Sequence, residues 1–64
     1  MTVFEAKPYV GRNCEVTWRD RRGSEQVVNL HIDDLTYVPF YGAYLVGDIE
    51  EVYLDKVTRI QPLD

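Results

Sequence analysis

The sequence predicts an all-β domain, a small barrel built from about five short strands. Apolar and polar residues alternate with a period of two along several stretches, as they do in half-buried strands. Residues typical of turns separate those stretches, and no long window shows a helical period. Closing such strands into a barrel also hides the edges that would otherwise pair with other chains.

The first hairpin has the clearest pattern. Its first strand begins at Asn13, and the apolar residues on its inner face are Cys14, Val16 and Trp18. Asp20–Gly23 is the turn, with Gly23 at the position that most needs a positive φ. Ser24–Ile32 is the second strand. This register predicts a mostly buried Trp18 ring whose indole N–H lies near a polar partner.

The second half of the chain supplies the other strands. Asp33 and Asp34 break the second strand, and Leu35–Val38 forms a third strand that ends before Pro39. The stretch Ala43–Leu63 then provides three elements: a hairpin that turns at Gly47-Asp48, a short helical turn at Asp55–Val57 and a closing strand at Thr58–Pro62. In that hairpin we expect Gly47 to take a positive φ.

The chain length predicts one domain over residues 1–64. Residues 1–12 carry few structural signals, and Pro8 argues against a helix there, so we expect them to be loosely ordered. Residues 13–63 form the barrel. The architecture that fits this size is a five-stranded SH3-like or Sm-like barrel with a short helical turn before the last strand; an OB-fold ranks second because it usually needs more chain.

Composition and charge exclude several classes of protein. The single cysteine, Cys14, allows no internal disulfide, which fits a reducing compartment. The first ten residues lack the apolar core of a signal peptide, and no apolar run is long enough to span a bilayer. The net charge of −4 opposes binding to a phosphate backbone. We therefore expect a cytoplasmic protein with no membrane partner.

The side chains that could carry chemistry do not form a recognisable catalytic or metal-binding set. His31 is the only histidine, and Asp33 on the same strand face makes only two potential metal ligands. Ser24 has no visible base. Adjacent carboxylates on a strand point to opposite faces, so neither acidic pair converges on one bond. We expect no enzymatic activity, no catalytic residue, no metal and no cofactor.

An aromatic cluster is the strongest binding signal. Residues 37–44 hold four of the eight aromatic rings, more than alternation can bury in so small a barrel. We expect Tyr37, Phe40 and Tyr41 to form a partner-binding surface, because exposed aromatic rings make good anchors. The alternative is that Phe40 and Tyr44 plug the barrel while the other rings lie flat over its end.

Three segments of the chain together resemble the WYL domain: Val16–Asp20 with Gly23, Ala43–Gly47, and Tyr53–Val57 with Ile60 and Leu63. The ending Val52–Ile60 also resembles the Rho-binding antiterminator family. The first resemblance implies an SH3-like or Sm-like fold from ligand-sensing bacterial transcription regulators. The second implies a small acidic barrel that binds the terminator Rho, in a family whose N-terminal helix is not predicted here.

Three functions remain open at this point. The first is a non-enzymatic binding module, a transcription-linked regulator that recognises a protein through its aromatic surface. The second is nucleic-acid binding through the arginine-rich hairpin, with Arg19, Arg21 and Arg22 as the anion contacts. The third is a structural subunit that associates with copies of itself through an edge strand. The acidic net charge ranks the protein partner first.

Overall fold

Five antiparallel strands form one sheet in the order β4-β3-β2-β1-β5. The computed structural model describes all residues, 1–64. The strands are β1 (Asn13–Arg19), β2 (Glu25–Val38), β3 (Gly42–Gly47), β4 (Glu51–Tyr53) and β5 (Val57–Pro62). A short helix, α1 (Val3–Ala6), and two 3₁₀ turns, Lys7–Tyr9 and Leu54–Lys56, complete the chain. The prediction of a mostly β domain with a helical turn directly before the last strand is confirmed.

Strand β2 does not break at the acidic pair, and that prediction is wrong. Its first half pairs with β1 up to His31, and its second half pairs with β3 from Ile32 to Val38. Asp33 is an extra residue between the pairs Ile32–Gly47 and Asp34–Val46, which is the arrangement of a β-bulge. A straight strand of this length would span about 43 Å, whereas the molecule measures 31 Å along its longest axis. The strand therefore bends, and it needs no break.

The N-terminal segment contains a helix where none was predicted. Thr2 accepts a hydrogen bond from the Glu5 backbone N–H at 3.2 Å, and the Thr2 N–H donates to the Glu5 carboxylate at 3.0 Å. This reciprocal capping box stabilises a single turn, and Pro8 falls inside the following 3₁₀ turn, near its start, where proline is tolerated. Ala6 is buried against the sheet. No helix in the structure combines the length and apolar character needed to cross a bilayer.

The short link between β4 and β5 requires a strongly curled sheet. These strands lie at opposite edges, yet only Leu54–Lys56 separates them. A flat sheet of five strands would be about 19 Å wide, while the link spans at most about 14 Å. Leu54 is buried beneath the link and anchors it to the core. The curl thus brings the two edges towards each other, although β4 and β5 share no ladder.

One core fills the concave side of the sheet. Ile32, Leu45, Leu54, Val16 and Cys14 are its largest fully buried side chains. The remaining buried apolar residues are Ala6, Leu30, Val52, Val57 and Ile60. They come from every strand and from α1, so no element can leave without opening the core.

Trp18 departs from its prediction at the indole N–H and not in its burial. The side chain packs against the core with only a minor part of its surface exposed, but its indole Nε1 is buried without a hydrogen-bond partner. Gln26 lies opposite Trp18 in the ladder, but its amide donates to Asp20 at 3.1 Å and so is drawn away from the indole. The β1–β5 register also shifts between Thr17 and Trp18, which alters the neighbours of the ring on its other side.

Gly47 is required for space, and the expectation of a positive φ there is wrong. A Cβ atom at this position would lie 2.8 Å from the Leu30 side chain and 2.9 Å from the Glu50 carbonyl oxygen. That same carbonyl accepts the Gly47 N–H at 2.9 Å and closes the β3–β4 turn. The turn therefore runs from Gly47 to Glu50, two residues longer than the predicted Gly47-Asp48 turn.

We expect Gly47→Ala to lower the free energy of unfolding by about 1–3 kcal/mol, as overpacking does in other cores. The added methyl group meets a backbone oxygen that cannot move without opening the turn. Chemical denaturation followed by circular dichroism measures the change. Wild-type stability in this variant would show that the turn accommodates a side chain.

Candidate functional site

The turn between β2 and β3 presents an aromatic side chain in an unfavourable backbone conformation. The Tyr41 N–H donates to the Val38 carbonyl at 3.0 Å, with Pro39 and Phe40 between them. Phe40 has φ +73° and is the only non-glycine residue with a positive φ. Proline followed by a positive φ is the pattern of a type II turn, whose third position normally holds glycine or asparagine. Phenylalanine there costs about 1–3 kcal/mol.

Tyr37, Phe40 and Tyr41 are exposed, and together we call them the aromatic tip. Their exposed fractions are 71%, 103% and 67%. The alternative in which Phe40 plugs the barrel is therefore wrong, because its ring has no intramolecular contact that shields it. The three residues adjoin the last rung of the β2–β3 ladder, where Val38 pairs with Gly42. The sequence-predicted partner-binding residues thus lie together at one end of the molecule.

A second aromatic pair lies on the outer face of the sheet and was missed by sequence reasoning. Tyr44 and Tyr53 are opposite each other on β3 and β4, with ring centroids 5.2 Å apart and planes tilted by 36°. Gly42 makes room for this pair, since a Cβ there would lie 3.1 Å from two atoms of the Tyr53 side chain. The register of the β3–β4 hairpin is what pairs Tyr44 with Tyr53. The predicted turn at Gly47-Asp48 is too short and would have shifted that register by two residues.

Carboxylates surround the tyrosine pair. Glu51 precedes Tyr53 by two residues on the same face of β4, and Asp34 occupies the same row across β3. Asp55 follows in the 3₁₀ turn, and its hydrogen bond with the Tyr53 side chain raises the pKa of the Tyr53 phenol. All three carboxylates are exposed. We call this surface, from Asp34 to Asp55, the outer tyrosine face.

The arginine-rich turn lies at the other end of β2 from the aromatic tip. Asp20 organises it: one carboxylate oxygen accepts the Arg22 and Ser24 N–H groups at 2.9 and 3.0 Å. Gly23 has φ +80°, as predicted. Arg19 donates to the Gly23 carbonyl at 3.4 Å.

No carboxylate lies within salt-bridge distance of Arg19, Arg21 or Arg22. Arg12, by contrast, is paired with Asp64 at 3.2 Å. The three predicted anion contacts are therefore grouped on one turn and keep their charge available to solvent.

Neither histidine nor cysteine belongs to a reactive cluster. His31 Nδ1 lies 3.0 Å from the Asn13 amide oxygen, and Nε2 lies 3.8 Å from Asp33. No three His, Cys, Asp or Glu side chains are grouped so that they could hold a metal ion. Cys14 is fully buried, and desolvation raises the pKa of its thiol. A buried thiol of this kind acts as a small apolar side chain of the core.

A shallow groove separates the N-terminal segment from β2. It has a volume of about 390 Å³ and is lined by Val3, Lys7, Val10, Asp34 and Leu35.

Comparisons with protein-family models, curated proteins and solved structures find no match to the chain. The functional inference therefore depends on the three surfaces described above: the aromatic tip, the outer tyrosine face and the arginine-rich turn.

We expect Asp20→Ala to destabilise the domain by about 1–2 kcal/mol, because three donors lose their acceptor. Asp20→Asn is the matched control. It keeps one side-chain oxygen for the two backbone N–H groups and should lose less than half as much. Thermal unfolding of the two variants measures the difference, and equal losses would assign the effect to charge instead of turn geometry.

Proposed function

We propose that this chain is a non-enzymatic binding module that recognises a protein partner through the aromatic tip. The observation that carries the proposal is Phe40, which is fully exposed and held at a positive φ. Glycine or asparagine would occupy the same turn position at lower energy. The phenylalanine ring gains no burial within the chain that offsets this cost. A partner surface that buries the ring would supply the missing stabilisation.

Burial energetics favour an anchor role for the tip. Fully burying a phenylalanine side chain contributes about 1.5–3 kcal/mol, and aromatic residues dominate the energetics of protein interfaces. The turn also presents the ring at little entropic cost, since Pro39 restricts the backbone and each aromatic ring has only two side-chain torsions. Tyr37 and Tyr41 flank Phe40 and exclude water from its base once a partner is bound.

The finer fold assignment supports the same proposal. We propose that the curled sheet is an SH3-like or Sm-like barrel, because only three residues connect its opposite edges. The likeness of residues 14–63 to WYL domains and to Rho-binding antiterminators suggests a cytoplasmic regulator linked to transcription. In both families the barrel serves recognition, which fits a chain without a clustered set of reactive side chains.

A second candidate function is nucleic-acid binding at the arginine-rich turn. The observation that favours it is the absence of ion pairs at Arg19, Arg21 and Arg22. Free guanidinium groups bind phosphate in a bidentate manner. The net charge of −4 opposes long-range attraction to a polyanion, and the aromatic tip, whose exposed rings could stack on bases, lies at the far end of β2.

We expect Phe40→Gly to separate stability from binding. Removing the side chain relieves the strained conformation and exposes no core, so the free energy of unfolding should rise by about 1 kcal/mol. Capture of the protein partner from a cell lysate should fall by about tenfold or more, as for loss of an interface anchor. Denaturant unfolding and quantitative pull-down, run on the same preparations, measure the two effects.

Phe4→Ala is the matched control for this experiment. Phe4 is 87% exposed but lies on α1, outside the β2–β3 turn that carries the aromatic tip. Its removal should leave capture unchanged, whereas Tyr41→Ala should weaken capture and change stability by less than about 1 kcal/mol. Normal capture by both Phe40→Gly and Tyr41→Ala would refute the tip as the binding surface.

The double change Arg21→Glu/Arg22→Glu tests the second candidate. Both side chains are exposed, so the fold should remain intact. If the partner is a protein bound at the aromatic tip, capture should change by less than about twofold. If nucleic acid is the partner, binding should disappear, and wild-type recovery of nucleic acid should fall steeply between low and high salt. Sequencing or mass spectrometry of the captured material identifies which outcome holds.

A further inference from the structure

The outer tyrosine face has no function in the proposal above. Tyr44 and Tyr53 are partly exposed and lie on the solvent side of the sheet, opposite the core residues Leu45 and Val52. The N-terminal segment packs on the other side, where Ala6 joins the core. Each tyrosine therefore keeps a part of its surface open to solvent.

The segment that carries the pair has a strongly one-sided charge. Residues 33–56 contain six carboxylates and a single cation, Lys56. Lys56 lies in the 3₁₀ turn and forms no salt bridge with Asp55 or any other carboxylate. Lys7, the nearest cation on the N-terminal segment, lines the groove beside Asp34 and is also unpaired. The carboxylates next to the tyrosine rings are thus not neutralised from within the chain.

The ring geometry favours a flat cation. The electron-rich face of a tyrosine attracts a cationic group within about 6 Å of the ring centre. The two rings are already 5.2 Å apart, so no slot between them can admit a cation. A planar group can instead lie over the tilted pair. The carboxylates at both ends of the pair offer hydrogen-bond acceptors, which a guanidinium can use and a quaternary ammonium cannot.

We propose that the outer tyrosine face binds an arginine side chain of a basic peptide segment in the partner protein. The guanidinium stacks on Tyr44 and Tyr53 and donates hydrogen bonds to Glu51 and Asp55. This inference rests on the proposed function, because it specifies the chemistry of the protein partner. It adds a polar, charge-selective contact to the apolar anchor at the aromatic tip, and the shared β2–β3 hairpin holds the two surfaces in fixed relation.

Nuclear magnetic resonance titration with three blocked peptides tests this inference. The probe carries two arginines in a glycine–serine background, and matched peptides replace them with citrulline or with lysine. Citrulline keeps the shape of arginine without its charge. We expect the arginine peptide to shift the resonances of residues 42–55, the lysine peptide to bind more weakly, and the citrulline peptide to lose at least about tenfold in affinity.

Two protein variants assign the contact. Tyr53→Leu keeps an apolar side chain but removes the ring and should weaken binding by about threefold to fivefold. Glu51→Gln is an exposed change that leaves the fold intact, and it should weaken binding by about twofold to fivefold and flatten the salt dependence. If Tyr53→Leu fails to fold, the Glu51→Gln and citrulline results still decide the question.

Equal binding of the arginine and citrulline peptides, or shifts confined to the arginine-rich turn, would overturn the inference. Tyr41→Ala should not alter the peptide titration, so the two proposals fail separately. A peptide that does not bind, together with impaired partner capture by Phe40→Gly, would refute only the arginine site. Normal peptide binding with unimpaired capture by Phe40→Gly would refute only the aromatic tip.

Discussion

Strand β2 pairs with β1 along its first half and with β3 along its second half. The bulge at Asp33 makes this double pairing possible. Ile32 lies at the crossover: its N–H donates to Arg12 and its carbonyl accepts from Gly11, while its ladder partner on the other side is Gly47. The extra residue bends the strand so that a single core can pack against both halves. The arginine-rich turn and the aromatic tip are consequently separated by the full length of one bent strand, and each can meet a partner independently.

Alternation identified the strands wherever one face is buried and the other solvated. It located β1 and the start of β2 because Cys14, Val16 and Leu30 lie on one side of a regular ladder. Alternation did not identify the bulge at Asp33, because a bulge has no fixed composition. A pair of aspartates is instead typical of a turn. The capping box of Thr2 and Glu5 is a sequence pattern that predicts the helix at Val3–Ala6. The expectation of no helix depended on Pro8, but Pro8 lies after the helix, in the following 3₁₀ turn.

The surface residues also include some features that the sequence could predict and others that it could not. The exposure of Tyr37, Phe40 and Tyr41 could be anticipated, since a proline turn interrupts alternation and frees the rings. The strain at Phe40 could not, because backbone dihedrals at a turn depend on how the two strands approach each other. Tyr53 was missed for another reason: its partner is set by the length of the β3–β4 turn, and a two-residue error moves every cross-strand pair.

The two free edges of the sheet also influence the tendency of this protein to aggregate at high concentration. Strand β4 has only three residues. In β5 an extra residue, Thr58, disrupts the ladder near its start, and Pro62 removes a donor at its end. Neither edge offers a run of evenly spaced donors and acceptors on which a second copy could extend the sheet. A chain that exposes four aromatic rings to water thus has sheet edges that disfavour fibre-like stacking, and its net negative charge adds mutual repulsion between molecules.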